Sequence, residues 1–165
     1  MSALNPGTKA PQFELLTMTG LQFSLQDALT RGPLIAVFFK VSCPVCQYAL
    51  PFYDRLCKAY GLDRPNIIAV SQNEKNDTAD FVKKFGLTFP VLLEDTKRYA
   101  VSNAYGLTTV PTAFWISGDG EIEVTSVGWV RKDFEEIARK TAPVTTRPTQ
   151  PIFQPNEQIP EFRAG

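Results

Sequence analysis

The chain has 165 residues, 44% of them hydrophobic, enough for one domain with a sizeable core. Lysine plus arginine and aspartate plus glutamate each number 17, so a net charge of zero offers no footprint for nucleic acid or an acidic membrane surface. The absence of histidine excludes a Ser-His or Cys-His catalytic pair and any imidazole metal ligand, and the three cysteines fall short of a four-ligand zinc site.

No stretch approaches the roughly 18 apolar residues needed to span a bilayer. Met1 to Gly7 lacks a basic segment followed by an apolar one. The reading is therefore of a cytoplasmic chain, or of one trimmed of a leader, with neither nucleic acid nor membrane as partner.

Residues 1–12 carry Pro6, Gly7 and Pro11 and read as an extended lead-in. Phe13–Leu16 and Leu21–Phe23 flank a Thr17–Gly20 turn and predict a short hairpin. Ser24 is a candidate N-cap for a helix through Leu29, ended by Arg31-Gly32-Pro33. Leu34–Phe39 is apolar at every position, the pattern of a strand buried on both faces.

Cys43-Pro44-Val45-Cys46 follows that strand, and Gln47–Tyr60 reads as a helix with Tyr48, Phe52, Leu56 and Tyr60 on one stripe. Cys43 therefore stands at a helix N-terminus, where unpaired N–H groups and the dipole favour negative charge, and the thiolate is the nucleophilic form of cysteine. Pro44 fits the first turn, where its missing N–H is not needed. Pro51 falls inside the helix and predicts a kink, and Gly61 closes it. Cys57 lies about 16 Å from Cys46 along the same helix, too far for a disulfide, and is assigned to the core.

Pro65-Asn66 opens a second buried strand, Ile67–Ser71. Asp77 or Thr78 caps the next helix, with Phe81, Val82 and Phe85 inward and Gly86 at its end. Phe89–Leu93 is extended, Tyr99–Tyr105 is a short helix, and Thr112–Ser117 is a strand. The Gly118-Asp119-Gly120 turn leads into a return strand, Glu121–Trp129. Lys132–Thr141 is an amphipathic helix with Phe134, Ile137 and Ala138 inward. The expected division is a domain over 1–142 and a proline-rich extended tail over 143–165, whose Phe153 and Phe162 either dock on the body or leave the tail mobile. Alternating strands and helices followed by a hairpin predict a mixed sheet with helices on both faces.

Cys43-Pro44-Val45-Cys46 after a buried strand, together with Thr109-Val110-Pro111-Thr112 before a later one, resembles the thioredoxin superfamily. The N-terminal hairpin and the residues through Pro51 are most similar to the TlpA/ResA branch of the AhpC/TSA-type redoxins. The resemblance covers about residues 8–142. It implies an α/β thioredoxin-like fold with an N-terminal β-hairpin extension and a thiol–disulfide oxidoreductase. Cys43 would attack a protein or small-molecule disulfide and Cys46 would resolve the mixed disulfide, with an external thiol restoring the dithiol. No cofactor beyond the Cys43–Cys46 pair is implied, and no metal. Pro111 would follow a cis bond and place the Val110 backbone against the dithiol for an edge-strand mode of capture. Pro44 and Val45 would tune the potential.

Ala49 stands where the TlpA/ResA branch commonly has glutamate, and Val37 where thioredoxins have a buried aspartate, so neither proton acceptor for Cys46 is present. Ser42 replaces a frequent tryptophan and opens the approach to Cys43. Lys40 and Gln72, with Asn73, are candidates for the rim, against plain roles as strand-end residues. Two other functions compete. A peroxiredoxin-like peroxidase would need a proline and a hydroxyl where Ala36 and Lys40 stand, and a non-catalytic thioredoxin-fold binding module would leave both cysteines idle.

Overall fold

The computed structural model describes residues 2–61, 66–144 and 151–165, so Pro65 and the middle of the expected tail, 145–150, lie outside the described residues. Its centre is a seven-stranded mixed sheet flanked by helices. Strands β1 (Glu14–Thr17) and β2 (Gln22–Ser24) form the expected hairpin. Ser24 then caps α1 (Leu25–Leu29), its hydroxyl accepting from Asp27 N at 3.1 Å.

Strand β3 (Leu34–Phe39) is buried at all six positions because it is central. It pairs in parallel with β4 (Asn66–Ser71) and antiparallel with β6 (Thr112–Ile116). Between β3 and β4 the chain crosses over as α2 (Pro44–Tyr60), and between β4 and the short β5 (Val91–Leu93) as α3 (Lys75–Phe85). With α4 (Ala100–Ala104) and β7 (Ile122–Val127), the sheet order is β2-β1-β5-β4-β3-β6-β7. The parallel centre and antiparallel flanks match the sequence expectation.

Two local expectations are corrected. Helix α3 starts at Lys75 with Glu74 as N-cap, before Asp77 or Thr78. Thr78 is fully buried, its hydroxyl 2.7 Å from that of Ser71 on β4, so it serves packing between helix and sheet instead of capping. Pro51 lies inside helix α2, as expected. The return strand stops at Val127, because Gly128 at φ 76 turns the backbone into a region that side-chain-bearing residues avoid. Trp129–Val130 is a separate strand, β8, leading into α5 (Arg131–Thr141).

Strand β8 pairs with β9 (Phe162–Arg163) from the tail. Phe153 docks as one expectation held, its ring centroid 5.5 Å from that of Phe52 and 5.4 Å from that of Phe134. Phe162 instead remains 61% exposed and contributes its backbone.

Buried Asp54 on α2 ties that helix to the approach to β5, accepting from Thr88 N at 2.7 Å and Thr88 Oγ1 at 2.8 Å. Removing the carboxylate takes a charged acceptor away from both Thr88 donors, which sit on an exposed residue and fall back on water. Asp54→Ala should therefore lower unfolding free energy in urea by about 1–3 kcal/mol, a loss that a surface ion pair with Lys58 alone would not produce.

Candidate active site

The site forms where β3 leaves the sheet. Its last residue, Phe39, accepts from Gln72 N at 3.0 Å, so β3 and β4 end together and present Lys40–Cys43 beside Gln72 and Asn73. Asn73 Oδ1 accepts from Val41 N at 2.9 Å, and Gln47 Nε2 donates to Val41 O at 2.9 Å. These two amides staple the loop between strand and helix.

Cys43 is the N-cap of α2 and Pro44 its first residue. The Cys46 backbone N–H donates to Cys43 Sγ at 3.2 Å, so that sulfur meets a helix-terminal amide as the spacing predicts. Cys43 is partly exposed, Cys46 is fully buried, and both are free thiols. Burial pushes the Cys46 thiol far above the ordinary cysteine range, and its hydrogen bond to Cys43 adds to the rise. Cys57 is buried with Cys46 in the core, and burial, with Asp54 nearby, moves its thiol up to about 11.

The second half of the site comes from the start of β6. The Val110–Pro111 peptide is cis, and Val110 O accepts from Cys43 Sγ at 3.4 Å across sixty-seven positions of sequence. Thr112 Oγ1 donates to Thr109 O at 2.9 Å and Gly128 N to Pro111 O at 2.7 Å, which brace the segment from both sides.

A cleft of about 510 Å³ opens beside Cys43. Lys40, Pro44, Gln72 and Val110 line it, whereas Val45 packs against the core and Pro111 is buried behind Val110. Lys40 Nζ lies 5.7 Å from the Tyr99 ring centroid. Tyr99 sits at φ 48, rare for an aromatic residue, between Tyr99 N donating to Asp95 O and Asn103 N donating to Tyr99 O.

Sequence reasoning missed this far wall, formed by Tyr99, Ser102, Asn103 and Thr108. Behind it Gln72 Nε2 donates to Ser102 Oγ at 2.8 Å, and Ser102 donates its N–H and hydroxyl to buried Glu94 at 2.6 and 2.5 Å. A glutamate following Leu92-Leu93 at a strand end was the available signal, but only the fold brings it under the cleft.

A partly exposed thiol on a helix N-terminus, a buried partner one turn on, and a cis-proline loop against them define the dithiol site of a thioredoxin-fold redox protein. The comparisons with known proteins agree. The thioredoxin domain of a thiol-disulfide oxidoreductase from Bacteroides vulgatus superposes with a TM-score of 0.73 over 84% of this chain and 98% of that one, and at 18% identity it speaks to fold alone. A thiol:disulfide interchange protein of the thioredoxin family from Chlorobium tepidum gives 0.68 at 25% identity, covering 85% of this chain and 99% of that one. The thiol-disulfide oxidoreductase ResA of Geobacillus kaustophilus is 31% identical over 139 residues, 84% of this chain and 77% of that protein. Residues 6–125 match the model of the AhpC/TSA family, and the chain belongs to that family.

The two sulfurs should differ in reactivity. In a Cys43→Ser, Cys57→Ser background, alkylation of Cys46 should still climb about tenfold per pH unit between roughly pH 8 and 10, because a thiol held above its usual range gains thiolate throughout that window. Alkylation rates that level off below about pH 9 would contradict the burial effect.

Proposed function

We propose that the chain exchanges its Cys43–Cys46 dithiol with disulfide substrates, Cys43 attacking and Cys46 resolving. The observation that carries this assignment is the contrast between the two sulfurs: Cys43 faces the cleft, and Cys46 is fully buried behind it. Cys43 attacks one substrate sulfur as the substrate S–S bond breaks, and the other sulfur leaves as thiolate. Cys46, whose backbone already touches Cys43 Sγ, then gives up its proton and attacks that sulfur. The second substrate thiol departs and an intramolecular disulfide remains. An external thiol returns the pair to the reduced state.

Lys40 occupies the position where a peroxidase of this fold carries the hydroxyl that orients peroxide, and its ammonium leans over Tyr99. Hydrogen peroxide should therefore oxidise Cys43 no faster than an ordinary thiolate, and a stopped-flow rate near that of dedicated peroxidases would favour peroxidase chemistry instead.

The assignment of roles is tested by trapping. Cys46→Ser should accumulate a stable mixed disulfide with an aromatic disulfide reagent, located at Cys43 by mass spectrometry. Cys43→Ser should form none under the same conditions. A trapped adduct on Cys46 in the Cys43→Ser protein, formed as fast, would reverse the two roles.

A further inference from the structure

The tail does more than cover the core. Strand β9 brings the chain back to the dithiol, so that Gly165 lines the same cleft as Cys43. Gly165 is packed so closely on Val110 that a Cβ placed there would overlap Val110 O and stand 2.9 Å from Thr109 Oγ1. Val110 O is also the carbonyl against which Cys43 Sγ rests. The backbone that an extended polypeptide would pair with is therefore already covered by the chain's own residues.

The tail is anchored to the helix that carries the cysteines. Arg55 on α2 forks onto Glu157, with Nη1 2.6 Å from Oε1 and Nη2 2.8 Å from Oε2. That fork holds the Glu157 carboxyl at about 2, well below the usual range, so the pair stays charged at neutral pH. Trp129 Nε1 donates to Pro160 O at 2.9 Å, and Arg131 N donates to Glu161 O at 2.9 Å. The Arg163 guanidinium lies 4.4 Å from the Tyr48 ring centroid, one turn beyond Cys43. Gly128 accommodates this path, since a Cβ there would come 2.5 Å from Arg163 O.

What remains open beside Cys43 is the other side of the cleft, between Lys40, Tyr99, Asn103 and Thr108. Its volume of about 510 Å³ suits one arm of a small disulfide. Lys40 and the Tyr99 ring face this open side, and Gln72, Asn103 and Thr108 offer it polar groups.

We infer that Phe162–Gly165 is a selectivity strap, excluding extended polypeptides from the Val110 edge and leaving the dithiol to small disulfides. The inference rests on the exchange function proposed above. In one turnover with glutathione disulfide, the reduced protein loses two thiol protons and two electrons, its new S–S bond replaces the substrate's, and two glutathione thiols leave.

The test compares single-turnover oxidation of the reduced chain by glutathione disulfide and by insulin. The wild type should react with glutathione disulfide and only slowly with insulin. Glu157→Arg repels Arg55 and should raise the insulin rate about tenfold or more while leaving the glutathione disulfide rate within about threefold. Arg55→Glu combined with Glu157→Arg restores the pair with reversed sign and should return the insulin rate to near the wild-type value. A chain ending at Glu161 removes the strap outright and should behave as Glu157→Arg does. Equal insulin rates in the wild type and the shortened chain would overturn the strap while leaving dithiol exchange intact. Failure of the wild type to react with either disulfide would overturn the exchange function itself, and the strap with it.

Discussion

One contact holds the chemistry together. Cys43 Sγ lies between the N–H of Cys46 and the carbonyl of Val110, and so joins a helix start to a cis-proline loop sixty-seven positions away. Neither segment could place itself. β3 is flanked on one side by β4, which leads to Gln72 and Asn73, and on the other by β6, which begins just after Pro111. The Phe38↔Thr112 pairing fixes the register. A slip of one residue would turn every side chain of β3 to the opposite face and carry the dithiol away from its loop. The buried run Leu34–Phe39 is thus the physical basis of the site as well as of the core.

That run was the most legible part of the sequence, because six consecutive apolar residues admit few placements other than a central strand. The cap at Ser24, the turn at Gly118–Gly120 and the closure of α3 by Gly86 were legible for the same local reason. Misreadings arose where a distant partner decided the outcome. Thr78 has the chemistry of an N-cap, yet the hydroxyl of Ser71 on β4 draws it inward, and the helix begins three residues earlier. Glu121–Trp129 alternates as a strand should, yet Gly128 breaks it so that Trp129 can pair with Arg163. No local pattern in Pro151–Gly165 announces that pairing, since its anchors are backbone groups and an arginine on α2.

The wall of the cleft was hidden for a related reason. Tyr99, Ser102 and Asn103 lie on or beside a five-residue helix that, taken alone, looks like connection. Its orientation is set from below by Glu94, whose carboxylate receives both donors of Ser102. A buried carboxylate is costly unless its lone pairs are filled, and here a backbone amide and a hydroxyl fill them. The same device appears at Asp54 and Thr88 under α2. Among the described residues, the buried acids Asp54 and Glu94 thus each hold one element against another.

This use of acids bears on how the second cysteine loses its proton. Positions 37 and 49 hold valine and alanine, both fully or almost fully buried, so no carboxylate stands at either place. Burial raises the Cys46 thiol, a hydrogen bond with Cys43 raises it further, and the Lys40 backbone opposes the rise. In the resting dithiol burial therefore keeps the proton on Cys46, while the helix-terminal amide is offered to the Cys43 sulfur. In the exchange proposed above, taking the proton from Cys46 therefore works against desolvation, with a carboxylate at neither position 37 nor position 49 to receive it.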